Sequence, residues 1–144
     1  MTDFHPLSGV GIDHAGLEIL TLDTCHELLE ETPIGRLAFV EHGEPMILPI
    51  TYGMWGGSVV FATDTGSKLD AAVMSRPVAV EIDGWDADSR SGWSVVVRGT
   101  AMMVDARESE QLDHLSVTPW VRPEEPKQWV RVLPYAVPGR RTRS

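Results

Sequence analysis

Apolar residues recur at every second position in six stretches of the chain and at helical spacing in three others, and these two rhythms outline its elements. Strands are predicted at "IGRLAFVE" (34–41), "PMILPITYGMW" (45–55), "SVVFAT" (58–63), "PVAVEIDGW" (77–85), "WSVVVRGTAMMVD" (93–105) and "WVRVLPYAV" (129–137). Thr24 followed by Glu27 makes a capping box, which predicts a helix running to Glu31 and ended by Pro33. Leu69, Ala72 and Val73 predict a short helix over 67–75, stopped by Pro77, and "ARESEQLDHL" (106–115) predicts a third. "HGE" (42–44) and "GG" (56–57) read as hairpin turns, "DADSRSG" (86–92) as a polar connection and "SVTPWVRPEEPKQ" (116–128) as a proline-rich loop.

The resulting order is helix, three strands, helix, two strands, helix, strand. Most strands follow one another through short turns, so the sheet is mainly antiparallel, and six strands with few helices predict a closed or nearly closed barrel. Pro49 cannot donate to a ladder and marks an edge, a bulge or an opening. Gly99, inside the longest strand, marks a bulge or a barrel bend.

The 144 residues fit one domain with a real core, and 42% hydrophobic with 23% charged residues is an ordinary globular composition. No run of ~20 apolar residues predicts a membrane helix, and "MTDFHPLSGV" lacks the pattern of a signal peptide, so cytoplasmic residence is the default expectation. A net charge of −9 argues against nucleic acid or an anionic membrane surface as partner. The end of the chain is basic, with Arg131, Arg140, Arg141 and Arg143, and reads as a solvated tail.

The single cysteine, Cys25, lies with Leu22, Leu28 and Leu29 on the apolar side of its helix and reads as buried and structural. His5, His14, His26, His42 and His114 show no metal-ligand spacing, and no nucleophile elbow, Walker loop or dinucleotide fingerprint occurs. Glu81, Asp83, Asp86 and Asp88 read as a charged loop. Trp85, Trp93 and Trp129, at strand edges, suit a barrel cap, a packed interface or the wall of a flat ligand site. The stretch "FATDTGSKLDAA" (61–72) supplies hydroxyls, a glycine and a lysine at the mouth of a short helix, the groups that hold a phosphate. Taken alone, it fits a capped surface helix with a solvated lysine better, because short motifs match by chance.

In combination, "IGRLAFV", "PMILPITYGMWGGSVVFATDTGSKLDAAVMSRPVAVEID" and "GWSVVVRGTAMMV" resemble the pyridoxamine 5′-phosphate oxidase-like family of flavin-binding proteins, over about residues 17–137. The resemblance implies a mainly β fold, a six-stranded antiparallel split β-barrel with flanking short helices, between a loose N-terminal arm (1–16) and a basic C-terminal tail (138–144). It implies a homodimer with an FMN-type cofactor at the subunit interface and a small-molecule substrate. Leu48, Pro49, Ile50 and Thr51 should lie along the isoalloxazine, flanked by Phe61, Ala62 and Thr63. Thr63, Ser67 and Lys68 become the phosphate end, and Trp93 and Ser94 come from the partner subunit. Some relatives use the deazaflavin coenzyme and a few bind haem or biliverdin. Family oxidases of vitamin B6 carry an Arg–Lys pair at the phosphate turn, where this chain has Lys68–Leu69, and a C-terminal Arg-x-His, where it has "GRRTRS". These departures argue against vitamin B6 oxidation. The reading expected here is a flavin- or deazaflavin-dependent oxidoreductase, with a flavin-binding carrier or sensor, or a haem-binding protein, as the alternatives.

Overall fold

The structure, a computed structural model, describes residues 9–13, 15–64, 68–115, 117 and 127–142. Its elements in chain order are β1 (Gly9–Ile12), β2 (Glu18–Leu20), α1 (Leu22–Glu31), β3 (Ile34–Glu41), β4 (Glu44–Thr51), β5 (Gly53–Trp55), β6 (Ser58–Asp64), α2 (Lys68–Val73), β7 (Pro77–Asp86), β8 (Ser91–Met103), α3 (Ala106–Leu112), β9 (Lys127–Ala136) and β10 (Gly139–Arg141). All pairings are antiparallel. The fold is mainly β with few short helices, as the alternation along the chain predicts.

The described residues hold ten strands rather than six. The predicted strand 45–55 breaks at Tyr52 into β4 and β5, and β1, β2 and β10 come from the two ends of the chain. Residues 9–12, within the segment expected to be a loose arm, pair with β2, and residues 139–141 of the basic tail pair with both β2 and β8. Ion pairs accompany these ladders. Arg140 Nε lies 2.9 Å from Asp13 Oδ2, and Arg141 reaches both carboxylate oxygens of Glu18 at 2.8 and 2.9 Å. Strands of three or four residues present only one or two side chains per face, too few for periodicity to register.

Helix α1 starts earlier than the Thr24 capping box predicts. Thr21 is the N-cap, its Oγ1 accepting from Thr24 N at 3.2 Å. Cys25, Leu28 and Leu29 lie together in the core, while Leu22, expected on the same apolar side, falls in the first turn and is exposed. At the other end, Tyr52 Oη donates to the Leu29 carbonyl at 2.6 Å, satisfying one of the carbonyls a helix C-terminus leaves open. Cys25 is fully buried and burial pushes its thiol pKa up, in keeping with a structural role.

The ladders run β8–β7–β3–β4 in one direction and β8–β9–β6–β5 in the other. Because β4 and β5 are consecutive, joined only by Tyr52, the sheet curls almost into a closed ring. No ladder among the described residues joins β4 to β6, and this gap is the split. Strand β4 pairs with β3 alone, so Pro49 stands on an edge strand, where a missing donor blunts unwanted strand pairing. Inside the ring lie Leu37, Phe39, Ile50, Phe61, Val80, Ile82, Val95 and Val97, while Val60, Val104, Leu112 and Trp129 form a second cluster beneath α3. The bulge expected at Gly99 is present between Arg98 and Gly99 in the β8–β9 ladder. No described helix is long and apolar enough to cross a membrane.

Candidate functional site

The split is bounded by two strand edges. On one bank stand Leu48–Thr51 of β4, on the other Phe61–Thr63 of β6. Gly53↔Val60 is the last β5–β6 register pair; beyond it, past Tyr52, Thr51 of β4 and Ala62 of β6 lie on edges that no ladder joins. Strand edges present main-chain N–H and C=O groups that no ladder consumes, donors and acceptors suited to the polar rim of a flat heterocycle.

The side chains divide between faces. Ile50 and Phe61 are buried in the core, Leu48 packs against it, and Ala62 packs against the second cluster. Pro49 is exposed on the opposite face of β4 from Ile50, with Thr51 half-buried beside it. Thr63 is buried, and its Oγ1 lies 3.4 Å from Asp70 Oδ1 and 3.3 Å from the Gln128 carbonyl. That hydroxyl ties the end of β6 to α2 and β9 and faces inward. Phe61, Ala62 and Thr63 therefore offer the split backbone rather than side-chain chemistry.

Ser67 lies outside the described residues, and so do Thr65 and Gly66. Lys68 opens α2, its side chain also outside them. Two acids flank this turn: Asp70, buried in α2, and Asp64, whose buried Oδ1 has no hydrogen-bond partner among the described residues.

Trp93 and Ser94 stand elsewhere. Ile34↔Thr51 and Asp83↔Ser94 are register pairs, and the β3–β7 ladder sets Ile34 level with Asp83. Thr51 and Ser94 are thus separated by three interstrand spacings, about 14 Å, so one chain alone does not bring them together. Trp93 pairs with Gly84 and Trp85 with Gly92, each indole lying where a Cβ on the opposing glycine would clash. Trp93 packs on the core while Trp85 is exposed beside a cavity of ≈ 320 Å³ that Ser94 and Arg141 also line.

Two larger cavities open at the ends of the split. One, ≈ 490 Å³, lies between the end of α1 and the β4–β5 junction, lined by Glu30, Glu31, Thr51, Tyr52 and Met54. The other, ≈ 860 Å³, lies between the β3–β4 hairpin tip and α2, lined by Val40, His42, Ala72 and Arg76. The hydrophobic pattern singles out none of Tyr52, His42 and Arg76. Each sits at an element boundary, where periodicity carries no signal, although an arginine wedged between a helix end and Pro77 is a visible hint.

Glu81 and Asp83 share Arg36, whose Nη1 lies 3.1 and 3.0 Å from them. Desolvation, followed by the neighbouring Asp83, pushes the Glu81 pKa up. Asp86 accepts from the backbone of Asp88 and Ser89, closing its own turn. Among the described residues no three His, Cys, Asp or Glu side chains are grouped to hold a metal ion.

The model of the pyridoxamine 5′-phosphate oxidase family matches residues 21–141. The uncharacterized Mycobacterium tuberculosis protein Rv0080 is 34% identical over 107 residues, 71% of this chain and 70% of that protein. The structure of an FAD binding protein from Mycobacterium smegmatis superposes with a TM-score of 0.74 at 33% identity, covering 87% of this chain and 99% of that one. A Corynebacterium glutamicum protein assigned to the same oxidase family superposes at 0.76 with 29% identity, covering 92% and 96%.

Proposed function

The chain belongs to the pyridoxamine 5′-phosphate oxidase family, and we propose that it is a flavin-dependent oxidoreductase acting on a small molecule. The observation that carries this reading is the split: an otherwise continuous ring of ladders interrupted where two strand edges face one another, with a cavity at each end. A slot of that kind suits a planar ring held by main-chain groups, and the M. smegmatis relative described as FAD binding supports a flavin as its occupant.

In this reading the isoalloxazine lies along Leu48, Pro49, Ile50 and Thr51, with the backbone of Phe61, Ala62 and Thr63 on its other side. Ser67 and Lys68 hold the first phosphate. The Thr63 hydroxyl, engaged with Asp70 and Gln128, supports the turn from beneath instead of touching the phosphate. When bound, a flavin supplies hydride or electron transfer, so the protein's part is to bind, orient and exclude water. The substrate enters by the ≈ 490 Å³ cavity beside Thr51.

A homodimer completes the site, with Trp93 and Ser94 contributed by the second copy. Two features support it: their separation from β4 within one chain, and the exposed apolar residues Ile34, Val40 and Ile47 on the outer face of β3 and β4. A face of this kind is better covered than left in water.

The test is Lys68→Ala. Loss of one charge-assisted bond to the phosphate lowers flavin affinity by roughly 1–3 kcal/mol, read by fluorescence titration of the apoprotein. Unchanged affinity would show that the turn serves only the fold.

A further inference from the structure

Four strands set their outward side chains in level rows. Across β4, β3, β7 and β8, one row is Pro49, Arg36, Glu81 and Val96, and the next is Ile47, Ala38, Ala79 and Arg98. The row between them, Leu48, Leu37, Val80 and Val97, points the other way, into the core. The exterior of the barrel is covered unevenly. Val60 of β6 and Trp129 of β9 pack with Val104 and Leu112 beneath α3. On the rows of β4, β3, β7 and β8, by contrast, Ile47, Pro49, Arg36 and Arg98 are exposed.

The charge on this face is arranged on two adjacent strands. Arg36 of β3 spends one nitrogen, Nη1, on Glu81 and Asp83 of β7, at 3.1 and 3.0 Å. Its Nε and Nη2 donors have no partner among the described residues, and each carboxylate keeps acceptor sites to spare. A part-spent guanidinium on one strand and two carboxylates on the next make the face complementary to itself, once it is turned over about the line between those strands.

We infer that a second copy of this chain docks on the face with its two-fold axis running along the strands, between β3 and β7. The inference rests on the proposal that a homodimer completes the flavin site. Rotation about that line lays β3 on the partner's β7 and β4 on the partner's β8. Arg36 then meets the partner subunit's Glu81, and the converse contact forms by symmetry. Ala38 and Ala79, the smallest side chains of the rows, lie at the axis and let the sheets approach closely. The outside of a barrel is convex, so the two faces part on either side of the axis. Two equal clefts result, each between β4 of one copy and β8 of the other, with Thr51 opposite the partner subunit's Ser94. An axis across the strands would instead lay β4 on β4, and would leave Ser94 as far from the split as it is within one chain.

The test moves charges between copies. Arg36→Glu and Glu81→Arg are made separately in the full chain, and each is examined alone and mixed, by light scattering against concentration and by native mass spectrometry. Each substitution sets like charges together twice by symmetry, so each weakens the homodimer by about a hundredfold. In the mixture both contacts between positions 36 and 81 across the axis again join opposite charges. The heterodimer therefore forms with near-parental affinity, in excess of the share that random exchange gives. Within each variant chain the two positions stay mismatched, so recovery on mixing arises only between copies. Circular dichroism checks folding, and Asp83→Arg, at the more exposed carboxylate, takes the place of Glu81→Arg if that variant is unfolded. Homodimers indifferent to the substitutions, or variants that do not recover when mixed, overturn the placement of the axis and leave the homodimer standing. A monomeric parent overturns the homodimer and the axis together.

Discussion

Gly99 illustrates how one position fixes local geometry. It sits at the bulge of the β8–β9 ladder, where a Cβ would collide with the Leu133 carbonyl and crowd Val132. The obstruction is backbone, which cannot swing aside as a side chain can. Gly99→Ala should therefore destabilise the fold by roughly 1–3 kcal/mol, measured by chemical denaturation, and a neutral effect would mean that the bulge is not held there. The bulge was legible, since a glycine inside a long apolar strand marks a kink or a close backbone approach. The role of the Thr63 hydroxyl was not. Whether a threonine beside a phosphate turn faces the ligand or its own helix depends on Asp70 and Gln128, which lie 7 and 65 residues away.

Elements dock through pairs that no local rhythm announces. Helix α3 begins with Asp105 accepting from Glu108 N and is fastened at its far end, where Trp129 Nε1 of β9 donates to Asp113 Oδ1 at 2.8 Å. That bond, aided by Lys127 nearby, holds the Asp113 carboxyl below its ordinary pKa of 3.8. A lowered folded-state pKa stabilises above the unfolded value, and the stabilisation fades as pH falls through the folded one. Asp113→Asn should thus lower the melting temperature more at pH 7 than near pH 3, below the unfolded value of 3.8. An equal deficit at both pH values would contradict the ionic part of this contact. Helix and strand positions were readable from periodicity, and the α1 start is a local cap by Thr21 on Thr24, whereas the break at Tyr52 and the strands at both chain ends depend on contacts between distant residues.

At the scale of the whole molecule, the ring of ladders was legible as a nearly closed barrel because short turns force neighbouring strands together. The place of its opening was legible only through Pro49, and only as one of three readings. The outer face of β3 and β4 carries the assembly prediction. Ile47 is 67% exposed in the single chain. If the face is covered by a second copy, Ile47→Asp puts a charge into an apolar contact twice over by symmetry and weakens the dimer by roughly 3–6 kcal/mol. Light scattering against concentration checks it: the unsubstituted chain should be dimeric and the variant monomeric, and a monomeric parent would remove the support for a shared site. The central claim, a flavin in the split, is tested most directly by the visible spectrum of the purified protein and of its released cofactor, after reconstitution with flavin if it is purified empty. The account predicts the two-band yellow spectrum of a flavin. A protein that stays colourless, or that carries a Soret band or a single band at the blue edge, would contradict it.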